Sequence, residues 1–253
     1  MSGFLSSGDI VWSLDIEECP ADAAFKSKQV DISNIRVMYC YSPFVVALFF
    51  WLISVSVLQP LQETQRAVAE ILEAEGRIDV LVVSAGVHVS GSIELVTEAE
   101  FDRVMGINFK GAFFLVQAVI PSMKARGSGC IALIGSDQCL VGKANSAIYG
   151  ASKGAMGQLT KSLAIDYGPH GIRVNCVCAG TIETPLYHRA EERYCVRSGA
   201  VLEAVHKAEG EEQCLGRIGQ PGEIAAAVLF LCSPGGGFVT GALLPVDGGY
   251  SAK

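Results

Sequence analysis

The sequence predicts an α/β protein built on a doubly wound parallel sheet with helices on both faces, and three observations predict it. From Leu61 onward, short apolar runs alternate with stretches whose apolar residues recur every three or four positions. Strand–helix–strand alternation of this kind gives parallel strands joined by right-handed crossovers. The run Val80–Val83 is apolar without a break, as in a strand buried on both sides. Half of the 253 residues are apolar, enough to bury a substantial core. The length admits one large domain or two small ones, and the unbroken rhythm favours one domain over 1–253.

The elements follow in order. Gln62–Glu75 reads as a helix, with Val68, Ile71 and Leu72 on one face and Gly76 as its stop. The strand Val80–Val83 comes next, then helical stretches at Thr97–Met105 and Phe109–Arg126, then a strand at Ile131–Ile134. Ala147–Tyr167 is a long helix, Ile172–Val177 a strand, Glu223–Cys232 a helix and Ala242–Val246 the last strand. Residues 183–220 break the rhythm with short helical pieces at His188–Arg197 and Val201–Glu209. Ligands of such a sheet sit at the carboxyl ends of its strands.

Composition excludes several classes. A net charge of −7 without a basic cluster argues against a nucleic-acid surface. The first thirty residues lack a basic stretch followed by an apolar core, so no secretory signal is read and the cytoplasm is the expected compartment. Nine cysteines at scattered positions form no disulfide framework. Cys176 and Cys178 would share one face of a strand. With no second ligand pair in view, no metal is expected there. Only 18% of residues are charged, which points to helix faces buried between subunits.

The chemistry concentrates in IGSDQCLVGKANSAIYGASKGAMGQL. Tyr149 and Lys153, four apart on one helix, lie on the same face about 5–6 Å apart at Cβ. A nearby ammonium favours a phenolate, and lowering a tyrosine from about 10 to about 7 takes roughly 4 kcal/mol. A desolvated lysine and a cationic cofactor ring would supply that, with Ser136 holding the substrate oxygen beside the phenol. The pair alone arises by chance too often to decide anything. Around it stand Asn108 in MGINFKGAFF, IDVLVVSAG ending in Ala85-Gly86, RVNCVCAGTIETPL, and GRIGQPGEIAAAVLFLCSPGGGFVTGALLPVDGGY. Together these resemble the short-chain dehydrogenase/reductase family, over about three-quarters of the chain from Leu61.

The resemblance implies a Rossmann-like fold and NAD(P)-dependent interconversion of a secondary alcohol and a ketone. In the resembled mechanism Tyr149 exchanges the hydroxyl proton, Lys153 lowers its pKa and bonds the nicotinamide ribose, Ser136 polarises the carbonyl, and Asn108 anchors a proton-relaying water. Such chemistry needs these residue types, a donor that can be an anion, a fixed cation and a neutral hydroxyl. Ser84-Ala85-Gly86 stands where the family has Asn-Ala-Gly, and Gly86 still lets backbone approach the adenosine ribose. Ala179-Gly180 replaces the usual Pro-Gly, and Ile182 and Thr184 match positions contacting the nicotinamide amide and the pyrophosphate. Asp15, ending a candidate second strand Val11–Ile16, would accept from the ribose hydroxyls and favour NAD, with NADP the alternative. Asp31, in a candidate third strand Gln29–Ser33, would sit beside the adenine. Asp137, Gln138, Val141, Tyr187 and His188 are expected to line the substrate pocket, His188 as a lid histidine rather than a catalyst. Asp137 and Gln138 lean towards a hydroxylated small molecule such as a sugar or polyol. Residues 183–220 correspond to the family's substrate lid, and the apolar faces of Phe109–Arg126 and Ala147–Tyr167 to its subunit interface, so a homotetramer or homodimer is expected.

The N-terminal part departs from that pattern. Such a fold normally opens with a strand, a glycine-rich turn and a helix holding the pyrophosphate. The nearest string, Gly3-Phe-Leu-Ser-Ser-Gly8, has the wrong spacing and no preceding strand. The first β-α unit therefore reads as incomplete or missing. Residues 35–60 read as an apolar insertion, because deleting them restores the family's spacing between Asp31 and the Ala-Gly turn. Three readings of that segment compete: a membrane anchor, a native core or interface element, and a translated intron, with a misplaced start codon accounting for the missing strand. A membrane role is the less expected. The rival to an active enzyme is an impaired or inactive chain that binds no dinucleotide.

Overall fold

The computed structural model describes residues 11–15, 26–29, 36–39, 48–51 and 61–253, with side chains from Gln65 onward. Eight strands form one sheet: β1 (Val11–Asp15), β2 (Lys26–Gln29), β3 (Arg36–Tyr39), β4 (Leu48–Trp51), β5 (Val80–Val83), β6 (Gly129–Ile134), β7 (Ile172–Ala179) and β8 (Leu243–Val246). Their spatial order is β2-β3-β1-β4-β5-β6-β7-β8. Seven α-helices join them: α1 (Leu61–Glu75), α2 (Glu98–Met105), α3 (Ala112–Arg126), α4 (Ala147–Tyr167), α5 (Pro185–Ser198), α6 (Leu202–Glu212) and α7 (Pro221–Cys232). From α1 to β8 the expected elements all occur, and β1 and β4 to β8 run parallel.

Both faces of the sheet are covered, as the unbroken apolar strands require. Leu81, Val83, Ile131, Leu133, Val174, Cys176 and Cys178 point to one side, onto Val68 and Ile71 of α1, Leu115 and Val119 of α3 and Met156 of α4. Val80, Val82, Cys130, Ala132 and Val177 point to the other, onto Val228 and Leu231 of α7. The alternation follows from the two-residue period of a strand. Among the described residues one helical stretch, Glu98–Arg126, is long and apolar enough to cross a membrane. Its Val104, Leu115, Val119 and Met123 are buried in the protein core.

Three expectations for the N-terminal part are corrected. The strands are not all parallel: β3 runs antiparallel to both β1 and β2 at one edge. Only six residues separate Gln29 from Arg36, and a parallel return needs a crossover of a dozen or more. The strand near Gln29 is Lys26–Gln29 at the outer edge of the sheet, not Gln29–Ser33; Asp31 lies outside the described residues. Nor is the 35–60 run extraneous to the sheet, since β3 and β4 both come from it and β4 pairs with β5 through Phe50 and Val82. A β-α unit, β4 followed by α1, therefore does stand beside β5. What it lacks is glycine: none occurs from residue 9 to residue 75.

Candidate active site

The carboxyl ends of β5 and β6 are level, Val83 pairing with Leu133. Two loops leave the sheet there, Ser84–Gly86 from β5 and the segment carrying Ser136 from β6. Ser136 caps a short 3-10 turn, Asp137–Cys139, and its Oγ accepts from Gln138 N at 3.2 Å. α4 brings Tyr149 and Lys153 onto the face turned towards this turn, with Lys153 Nζ 5.7 Å from the phenol ring centre. Ser136 and Tyr149 are hydrogen-bonded side chain to side chain. The serine, tyrosine and lysine singled out in the sequence thus meet at one place.

Lys153 is 4% exposed, and its ammonium donates to Ile134 O at 2.8 Å. Among the described residues no carboxylate pairs with it, so donors remain uncommitted on a buried cation. Burial pulls its pKa below the ordinary lysine value, against a smaller opposing pull from Cys176, Cys139 and Cys178. A Cβ on Gly86 would lie 3.6 Å from both Lys153 Nζ and Asn108 Oδ1. The glycine therefore leaves open the space that the ammonium faces.

The phenol differs from expectation. Burial pushes the Tyr149 pKa above the ordinary tyrosine value; the Ser136 hydrogen bond opposes this, and the Asp137 and Cys139 charges add to it. Desolvation outweighs the lysine in the protein alone, so Tyr149 is a neutral proton donor at physiological pH. Lowering it calls for the further positive charge that a bound cofactor ring would bring.

Asn108 is fully buried in a widened turn, Gly106–Gly111, that links α2 to α3. Its amide is committed: Nδ2 donates to Val87 O at 3.0 Å and to Ser152 Oγ at 3.0 Å, and Oδ1 accepts from Val87 N at 2.8 Å. Asn108 thereby locks the exit of β5 to α4. Any water it anchored would have to use its backbone, since the side chain has no hydrogen left.

Among the expected pocket residues, Asp137 is 2% exposed and accepts the Ser136 hydroxyl at 2.7 Å. Gln138 packs against Gly150, its buried Oε1 without a hydrogen-bond partner. Val141 N donates to Asp137 O at 3.0 Å. Tyr187 and His188 lie on α5 and bond within the lid. The Tyr187 hydroxyl donates to Glu191 at 2.5 Å and meets His206 of α6 at 3.1 Å, while His188 pairs with Glu183 at 2.7 Å. Both therefore tie the lid together rather than join the Ser136–Tyr149 group.

Of the expected cofactor positions, Asp15 ends β1, which lies next to β4. Ala85 is buried and Ser84 half-buried after β5. A Cβ on Gly180 would come within 2.7 Å of Asp247 Cα, so only glycine fits there. Ile182 bridges to Gly219, and Thr184 caps α5 by accepting from Tyr187 N at 3.2 Å.

Two residues escaped sequence reading. Lys143 pairs with Asp137 at 3.5 Å and with Glu209 of the lid helix α6 at 4.0 Å, and lies over the Tyr250 ring. Its place between Ser136 and Tyr149 was the only signal that could have found it. His88, two residues beyond Gly86, meets the Tyr149 ring edge-on at 4.6 Å. Burial, with lesser pushes from Lys143 and Arg193, holds its pKa down at about 4. The unfolded chain would bind that proton near pH 6.5, so stability is complete above that pH. It falls as the pH drops towards 4, by up to about 3 kcal/mol. His88→Phe keeps the ring contact and is expected to flatten this acid limb in denaturant titrations across pH 4–7; an unchanged limb would clear the histidine.

The sheet, the committed asparagine and the Ser136–Tyr149–Lys153 group together define an oxidoreductase of the short-chain type. The chain belongs to the short-chain dehydrogenase/reductase family, whose members are NAD(P)-dependent. The family profile described as Enoyl-(Acyl carrier protein) reductase matches residues 57–251. The 2-(R)-hydroxypropyl-CoM dehydrogenase of Xanthobacter autotrophicus is 38% identical over 75% of this chain and 74% of its own length. Cyclopentanol dehydrogenase of a Comamonas strain is 39% identical over 74% and 71%. Among solved structures, an actinorhodin polyketide ketoreductase with NADPH superposes with a TM-score of 0.76 at 27% identity, over 83% of this chain and 88% of that one.

Proposed function

We propose that this chain interconverts a secondary alcohol and a ketone on a small molecule, using a nicotinamide dinucleotide. The observation that carries the reading is the buried Lys153 ammonium, beside Tyr149 on α4 and facing the space left by Gly86. When bound, the nicotinamide supplies or takes up the hydride. Lys153 would hold its ribose hydroxyls, with Gly86, Ile182 and Thr184 along its path. Tyr149 moves the proton to or from the substrate oxygen. Ser136 orients that oxygen once its hydroxyl turns from Asp137 to the substrate, and Lys143 balances the carboxylate left behind. Gln138, with a buried acceptor unmatched, supports a substrate that carries a further hydroxyl. Asp15 at the end of β1, beside the strand next to β5, supports NAD over NADP.

The glycine-free stretch from residue 9 to residue 75 favours a second reading, a family member that binds the dinucleotide weakly or not at all. A thermal-shift titration with NAD and NADP in turn separates the two. Saturation at 100 times Kd adds about 2.7 kcal/mol of stability. No shift at millimolar concentration of either would sink the catalytic reading.

Assembly and compartment complete the proposal. Phe113 of α3 and Ile165 of α4 are 39% and 76% exposed, an arrangement that supports burial against a second copy. Phe113→Asp is expected to shift the protein to a single-chain species in size-exclusion chromatography with light scattering; a monomeric parent protein would refute this. Cys130 and Cys232 lie 3.7 Å apart as free thiols, which supports a reducing compartment such as the cytoplasm.

A further inference from the structure

Beneath the active site three sulfurs converge. Cys176 and Cys178 alternate with Val177 on β7 and so share the face that meets α4, and the 3-10 turn after Ser136 brings Cys139 onto the same spot. The three Sγ atoms all lie within 4.8 Å of one another. Cys176 and Cys178 are fully buried and Cys139 is partly exposed, which leaves one way in. The backbone makes room for the group: a Cβ on Gly135 would fall 2.5 Å from Cys176 Sγ and 2.7 Å from Cys139 Sγ.

We propose that Cys139, Cys176 and Cys178 form a binding site for one thiophilic divalent cation of the Zn2+ or Cd2+ class. Three thiolates with an open fourth position suit such an ion. Zn–S bonds of about 2.3 Å at tetrahedral angles place sulfurs about 3.8 Å apart, so each sulfur needs to move inward by only about half an ångström. The surroundings favour thiolates. Ser136 N donates to Cys139 Sγ at 3.4 Å, and the Lys153 ammonium, without a carboxylate partner among the described residues, adds positive charge. Cys139 loses its proton first, helped by hydrogen bonds from Cys176 and Cys178. On binding, three S–H bonds give way to three metal–sulfur bonds and three protons leave to solvent, with no change of oxidation state. Cys139 then gives up its bond to Lys153 O, now 3.0 Å. Loading is therefore felt at Ser136 and Lys153.

The test is a Cd2+ titration of the full chain, kept reduced with a phosphine that leaves the metal free. Thiolate-to-cadmium charge-transfer absorption and proton release are read together. One ion per chain is expected, with about three protons released at a pH below the ordinary thiol pKa. Cys178→Ser should weaken binding by more than the roughly 10–100-fold that loss of an outer-shell partner costs. Cys232→Ser, removing the other close thiol pair, should leave it unchanged. If Cys178→Ser fails to keep the parent's near-ultraviolet circular dichroism, Cys139→Ser at the partly exposed position carries the same expectation. Absence of charge-transfer absorption overturns the proposal, as does a signal that survives in Cys139→Ser and Cys178→Ser or disappears in Cys232→Ser. The optical readout needs no turnover, so it stands or falls separately from the proposed reaction.

Discussion

Replacing Tyr149 by phenylalanine lowers kcat by about 10²–10⁴-fold and leaves the nucleotide-induced thermal shift in place. The change removes one oxygen from a site whose other partners stay where they are. The ring keeps its edge-on contact with His88 at 4.6 Å, Asn108 still locks the β5 exit to α4, and Lys153 keeps its bond to Ile134 O. Only the proton donor and its bond to Ser136 disappear. Steady-state turnover of an alcohol or ketone that the parent accepts, measured beside nucleotide titrations of both proteins, checks this. Turnover within a few-fold of the parent would move the acid–base role to another group.

Lys153→Met should give the opposite signs in stability and activity. The lysine carries a charge at 4% exposure with one backbone acceptor, and burial already drags its pKa down. Methionine fills similar volume without a charge to desolvate, so unfolding free energy should rise by about 1–3 kcal/mol. Turnover should fall by about 10²–10³-fold, the usual cost of removing a preorganised electrostatic group, and the nucleotide shift should shrink. Chemical denaturation and steady-state kinetics on the same preparation settle it. A loss of stability would mean that the ammonium has a partner that holds the fold together.

From Leu61 onward the architecture could be read from periodicity. Val80–Val83 had to be buried on both sides, and Leu81 and Val83 do face α1 and α3 while Val80 and Val82 face α7. The Ser136–Tyr149–Lys153 group was legible because helical spacing fixes a face and the chain order of the motifs fixes the rest. Before Leu61 periodicity failed for a physical reason. Residues 35–60 are apolar almost throughout, and such a run cannot by periodicity be told apart as membrane span, core helix or sheet strand. Its β3 and β4 are placed by pairing with distant strands, which no local pattern reports. Side-chain commitments were equally hidden. Nothing in the sequence says that Asn108 uses its whole amide on Val87 and Ser152, or that Lys143 reaches Asp137 and Glu209 together.

A mutational library read in two ways would set Gly86 apart from the residues around it. An added methyl would sit at ordinary van der Waals distance, 3.6 Å from its nearest neighbours, and the glycine adopts no left-handed backbone that alanine would resist. A screen for abundance or melting temperature should therefore pass Gly86→Ala, even reward it slightly through the stiffer unfolded chain. A screen for nucleotide capture should reject it, because the methyl takes the room in front of the ammonium. Selection for folding alone would let that glycine drift, so its retention across generations would be a record of binding rather than of stability.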